Sequence, residues 1–149
     1  MTVQSRSVGS RLSWLPLAAG VLLLAGCNAN NAGPAASGTR VFAADVTGAA
    51  KSCSVDGPSL KDGQVTDATM KVGNDGGWCG ISVAQGGKPF DAGLLTSRPT
   101  HGKVFIHKVG DVTRIDYTPD RGFVGTDTFI VKLIPGNSGF RTAVTVTGP

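Results

Sequence analysis

From residue 78 onward the chain repeats one pattern: a short run of alternating apolar and polar residues, then a turn signal, at roughly ten-residue spacing. In Trp78 to Val83, Ile81 and Val83 share a face. Ala92 to Ser97 follows and stops at Arg98-Pro99. "GKVFIHK" at 102–108 sets Val104 and Ile106 against Phe105 and His107, and "VTRIDYT" aligns Thr113, Ile115 and Tyr117. Between these two runs lies Val109-Gly110-Asp111, so they read as a hairpin. Pro119-Asp120-Arg121-Gly122 turns the chain again, because proline presets φ and glycine tolerates φ > 0. "DTFIVKL" then aligns Phe129, Val131 and Leu133, and "RTAVTVT" aligns Thr142, Val144 and Val146. Side-chain period two with closely spaced turns excludes a helical bundle. It predicts an all-β domain, an antiparallel sandwich or barrel.

Composition agrees. All ten acidic residues are aspartates, with no glutamate to favour helix interiors, and 22 of 149 residues are glycine. Residues 45–77 are less regular: "QVTDATMKVG" reads either as a strand over Val65 to Val72 or as a short amphipathic helical turn.

The N-terminus follows different rules. Arg6 and Arg11 precede an apolar run from Leu12 to Ala25, too short for a stable bilayer span of about 20 apolar residues. Positive, then apolar, then small is the order of a cleaved export signal. Leu24-Ala25-Gly26-Cys27 resembles the lipobox of bacterial lipoprotein precursors. That resemblance implies removal of residues 1–26 and acylation of Cys27 with diacylglyceryl and a third fatty-acid (palmitate-type) chain. Two or three chains would hold the protein on a membrane stably. Asn28, where an aspartate would favour the inner membrane in the enterobacterial version, implies the outer membrane. A soluble secreted protein cleaved near Ala25 is the competing reading.

Loss of the leader would take two of the 14 basic residues, leaving 12 against 10 acidic and a net charge of +2. No basic cluster remains, so nucleic acid is not an expected partner. Residues 27–44 are small and polar and read as lipid anchor and flexible linker, with a first strand at Thr39 to Ala44 as the alternative. Residues 45–149 read as the folded domain.

Three cysteines become an even pair once Cys27 is assigned to lipid. In an oxidising compartment Cys53 and Cys79 are expected to form a disulfide tying the 45–77 segment to the sheet. Zinc held by Cys53, Cys79, His101 and His107 competes, but the close cysteine spacing of structural zinc sites is missing.

"SRPTHGKV", "IDYTPDRGFVGTDTFIVKL" and the closing "AVTVT" resemble, in that order, the cadherin-like, bacterial Ig-like domains of secreted and surface proteins. The likeness covers about residues 80–147 and implies an Ig-like antiparallel β-sandwich. It rests on Pro99 before His101-Gly102, on Tyr117-Thr118-Pro119, on Gly122-Phe123, and on Gly125-x-Asp127-x-Phe129. Every one of these residues has a sufficient structural role. The glycines suit turns, Asp127 suits an Asx-type turn, and Tyr117, Phe123 and Phe129 suit a small core. Calcium, frequent in true cadherins, needs clustered carboxylates, whereas Asp111, Asp116, Asp120 and Asp127 are spread over separate turns and strands.

No catalytic motif, cofactor or metal site is expected. His101 and His107 are about 20 Å apart along an extended strand and read as exposed polar residues with no partner group. Trp78, inside "NDGGWCG", reads as packing over the neighbouring disulfide, with a protruding sugar- or partner-stacking surface as the alternative. The expected function is a non-catalytic cell-envelope lipoprotein whose Ig-like module binds envelope protein or glycan. The alternative is an envelope enzyme or metal-dependent accessory using His101, His107 and nearby aspartates.

Overall fold

The computed structural model describes residues 42–149. A four-residue helix, α1 (Ala43–Val46), precedes eight strands: β1 (Cys53–Asp56), β2 (Val65–Gly73), β3 (Cys79–Val83), β4 (Ala92–Ser97), β5 (Gly102–Val109), β6 (Val112–Pro119), β7 (Gly125–Ile134) and β8 (Gly139–Thr147). They form two sheets, a five-stranded one of order β1-β2-β8-β7-β4 and a three-stranded one of order β3-β6-β5. Their inner faces share a single core, so the chain is an all-β sandwich.

The expected strands are present, and the expected hairpin is the β5–β6 pair, closing at Val109↔Val112. Gly110, at φ 54°, supplies the left-handed turn residue that this two-residue loop requires. The ambiguous "QVTDATMKVG" is a strand, whose Ala68, Met70 and Val72 face the core in alternation. One feature departs from an antiparallel sandwich: β2 and β8 run parallel, in register from Val65↔Gly139 to Gly73↔Thr147. An early strand and the last one have no hairpin between them to impose antiparallel pairing, so the connection is free to bring them side by side in the same direction.

Alternation decides the core. Phe129, Val131 and Leu133 on β7, Ile115 and Tyr117 on β6, and Val144 and Val146 on β8 are all buried. Cys53 on β1 and Cys79 on β3 form a disulfide that joins an edge of one sheet to an edge of the other. The zinc reading is thereby corrected, since both sulfurs it needed are consumed. On the chain-entropy account a loop of this length contributes about 3–4 kcal/mol.

The alternative first strand at Thr39 to Ala44 is also corrected: Ala43 and Ala44 lie in α1, and residues 39–41 are outside the described part. An Asp45 carboxylate oxygen accepts from the Phe42 N–H at 2.9 Å, and the Asp45 N–H donates to the Phe42 carbonyl, closing the turn reciprocally. The leader, Asn28 and Cys27 lie outside the described residues.

Candidate functional site

The motif residues gather at one end of the sandwich. Tyr117, fully buried, donates its hydroxyl to Asp127 Oδ2 (3.0 Å) and to the His101 carbonyl (3.2 Å). Asp127 also accepts from the backbone N–H groups of Thr100, His101 and Thr128 at 2.8–2.9 Å. Its role exceeds the expected local turn, for one carboxylate ties the loop after β4 to the start of β7. Burial alone would raise the Asp127 pKa, but the three N–H donors and the Tyr117 hydroxyl hold it below the ordinary carboxylate value. Burial, and then the bond to Asp127, push the Tyr117 phenol well above its ordinary range. Gly102 packs against the Tyr117 ring, where a Cβ would come within 2.4 Å of it. Gly122, at φ 79°, supplies the turn conformation. Pro99 and Pro119 bound the two segments, and Phe123 packs against the core beside Gly125. Phe129 stacks 6.0 Å from Tyr117. This end of the molecule is a structural corner.

A different group of residues occupies the outer face of the three-stranded sheet. With Val104 and Ile106 packed inward, Phe105 and His107 point outward, and so do their cross-strand neighbours Asp116 and Arg114 on β6. Asp116 in turn pairs with Gly80 on β3. A Cβ at Gly80 would sit 2.5 Å from Asp116 Oδ1 and 3.2 Å from the Arg114 Cγ and Cδ, so the missing side chain makes the space in which this pair lies. Arg114 grips Asp116 with two bonds, Nε to Oδ1 at 2.8 Å and Nη2 to Oδ2 at 3.0 Å. His107 Nε2 meets the same Oδ2 at 2.9 Å. The guanidinium carbon lies 3.9 Å from the centre of the Trp78 ring.

This pair is buried although it lies on an outward sheet face, and the reason is the N-terminal segment. Arg114 Nη1 donates to the Asp45 carbonyl, and Trp78 Nε1 donates to the Thr47 carbonyl at 3.0 Å. The Trp78 backbone exchanges bonds with Gly48 and Ala50, so residues 48–50 run as a short parallel bridge beside β3. Lys51 N–H donates to Asp75, whose carboxylate is held below its ordinary value by that bond and by the Gly77 N–H. Residues 42–51 thus form a strap fixed across the outer face.

Three expectations change. Trp78 does not cover the disulfide: Cys79 faces the core, and on an extended chain the preceding residue faces the other way, here onto Arg114. His107 is not a free polar residue, being 28 % exposed and paired with Asp116 while its ring leans on Phe105 at 4.7 Å. His101 is exposed but stacks on Phe123 at 4.2 Å. The two histidines belong to separate clusters, one at the corner and one on the sheet face.

A histidine held by an aspartate can act as a base, but the Asp116 carboxylate is already gripped at both oxygens by Arg114. That geometry favours an ion pair that organises the strap. Among the described residues, no three metal-ligating side chains converge. Asp111 and Asp120 are exposed, and the Asp120 N–H donates to the His101 carbonyl at 2.8 Å, which joins the β6–β7 turn to the corner. Sequence reading missed the Arg114–Asp116 pair. Its signal was present, as opposite charges two residues apart on one face of β6, but their burial depends on a strap whose path no periodicity encodes.

Compared with known proteins, the chain matches no protein-family model and no curated sequence.

Proposed function

We propose that the chain is a lipid-anchored protein of the bacterial cell envelope, most simply the outer membrane, carrying an Ig-like, cadherin-like module that is non-catalytic and binds an envelope protein or glycan. The observation that carries this reading is the Cys53–Cys79 disulfide. It accounts for two of three cysteines, suits an oxidising compartment, and leaves Cys27 alone behind Leu24-Ala25-Gly26. The polar clusters support a module without catalysis, because each is engaged in holding loops together. The sheet edges, and the part of the three-stranded sheet's outer face around Phe105 that stays exposed beside the strap, are the surfaces open to a partner.

The His107–Asp116 pair favours a second reading, an envelope enzyme or metal-dependent accessory. It lacks a nucleophile assigned to it, and His101 is engaged elsewhere. The anchor is tested with Cys27→Ser: labelled palmitate incorporation and lipoprotein-type processing should both be lost, with the unprocessed precursor accumulating. Labelling equal to wild type would remove the lipoprotein reading.

A further inference from the structure

The Cys53–Cys79 disulfide is unequal at its two ends. Cys79 on β3 is fully buried, whereas Cys53 is exposed and is the first residue of β1, a four-residue edge strand. A thiolate attacks a disulfide in line with the S–S bond, joins one sulfur and expels the other, so access decides which sulfur takes the new bond. At Cys79 that approach is closed by the core. At Cys53 it comes from the margin of the sandwich, where β1 has no strand beyond it.

Each cysteine also has partners of its own that fix its place. Cys79 pairs with Tyr117 across β3 and β6. Cys53 pairs with Val72 on β2, the Ser52 carbonyl just before it accepts from the Gly73 N–H at 2.9 Å, and Val55 packs against the core. Backbone ladders and the shared core therefore hold the two Cα atoms, 5.4 Å apart, in reach of each other when the S–S bond is open. The Cys79 sulfur lies 4.0 Å from the Lys71 carbonyl oxygen, an acceptor for its S–H in that open state.

We propose that Cys53 is a site of reversible modification by a low-mass thiol, with Cys79 as the buried cysteine that removes the adduct. In the forward step the small thiolate bonds to Cys53 Sγ and the Cys53–Cys79 bond breaks. Its electron pair stays on Cys79 Sγ, which takes a proton. In the return step Cys79 gives up that proton and attacks Cys53 Sγ, and the small thiolate leaves as the disulfide re-forms. One disulfide replaces another, so electrons balance without a further oxidant or reductant. The fixed ladders make the return step intramolecular and fast, which keeps the adduct reversible. The modification acts at an edge strand and leaves the core of the sandwich in place.

The test uses the full chain, incubated without denaturant in mercaptoethanol and its disulfide, quenched with acid and mapped by mass spectrometry. Tryptic cleavage after Arg40, Lys51, Lys61 and Lys71 puts Cys27, Cys53 and Cys79 on three different peptides, so reaction at Cys27 is read apart. In wild type the adduct is expected on Cys53 and not on Cys79, and removal of the small molecules should clear it and restore the disulfide. Cys79→Ser, which lacks the return step, should accumulate the adduct at Cys53. In Cys53→Ser the remaining Cys79 should react more slowly by roughly tenfold or more until urea is added, because a buried thiol reacts only through an opening of the structure. An adduct on Cys79 in folded protein, or equal reaction at both positions, overturns the proposal. So does a wild-type disulfide that exchanges only where urea unfolds the domain, which would make it a sealed structural bond. The wild-type arm decides even where a variant fails to fold.

Discussion

Asp127 shows how much one side chain can organise. Its two oxygens accept three backbone N–H groups and the Tyr117 hydroxyl, joining the loop before β5, the last part of β6 and the start of β7. Its pKa is lowered on folding, so its contribution to stability is present above the unfolded value near 3.8 and is lost as pH falls through the lower folded value. Tyr117 titrates in the opposite sense. Its pKa is raised above the ordinary 10.0, so its contribution is present below pH 10 and is lost as pH rises beyond it. The expected profile is a stability plateau bounded by an acid limb and an alkaline limb. Asp127→Ala should flatten the acid limb and cost about 2–4 kcal/mol at neutral pH, since it leaves several buried donors unpaired. Urea unfolding from pH 2 to pH 11 checks both limbs. An unchanged acid limb in Asp127→Ala would assign it to other carboxylates.

At the scale of elements, the strap and the sheet face form one unit centred on Gly80. The Arg114–Asp116 pair fits because nothing projects from Gly80, and Arg114 then reaches across β3 to hold Trp78 and the Asp45 carbonyl. Gly80→Ala should displace that pair and release the strap. The expected cost is about 1–3 kcal/mol, as for overpacking a filled site. Amide exchange should speed up at residues 45–50 more than in the β7–β8 pair, whose core contacts are untouched. Equal acceleration in both would mean that the strap is not a separate unit.

The same elements show what was legible beforehand. Strands β3 to β8 were, because their inward and outward faces alternate and their turns carry proline and glycine. The disulfide was, through the pair left when Cys27 is set aside as the expected lipid-bearing cysteine. The parallel β2–β8 pairing was not, because period two marks a strand without naming its neighbour. Nor was the buried face: Arg114 and Asp116 look like ordinary outward charges until residues 42–51 lie over them.

For the whole molecule, both histidine clusters, the one at the corner and the one on the sheet face, read as structure, and this has a measurable consequence. If the domain acts as a scaffold, function in the cell should follow the folded fraction across variants, whatever residue is changed. His107→Ala removes one bond to an aspartate that Arg114 still holds, so it should cost about 1 kcal/mol. His101→Ala loses its stack on Phe123, worth about 0.5–1.5 kcal/mol. Phe129→Ala empties a fully buried aromatic site and should cost about 3–5 kcal/mol. Denaturant unfolding of each variant, set against complementation of a deletion strain, places all three on one relation between stability and function. Both histidine variants should complement and Phe129→Ala should fail or weaken. A His107→Ala protein that folds nearly as well as wild type yet does not complement would leave that relation. It would move the functional centre from the surface as a whole to the His107–Asp116 pair.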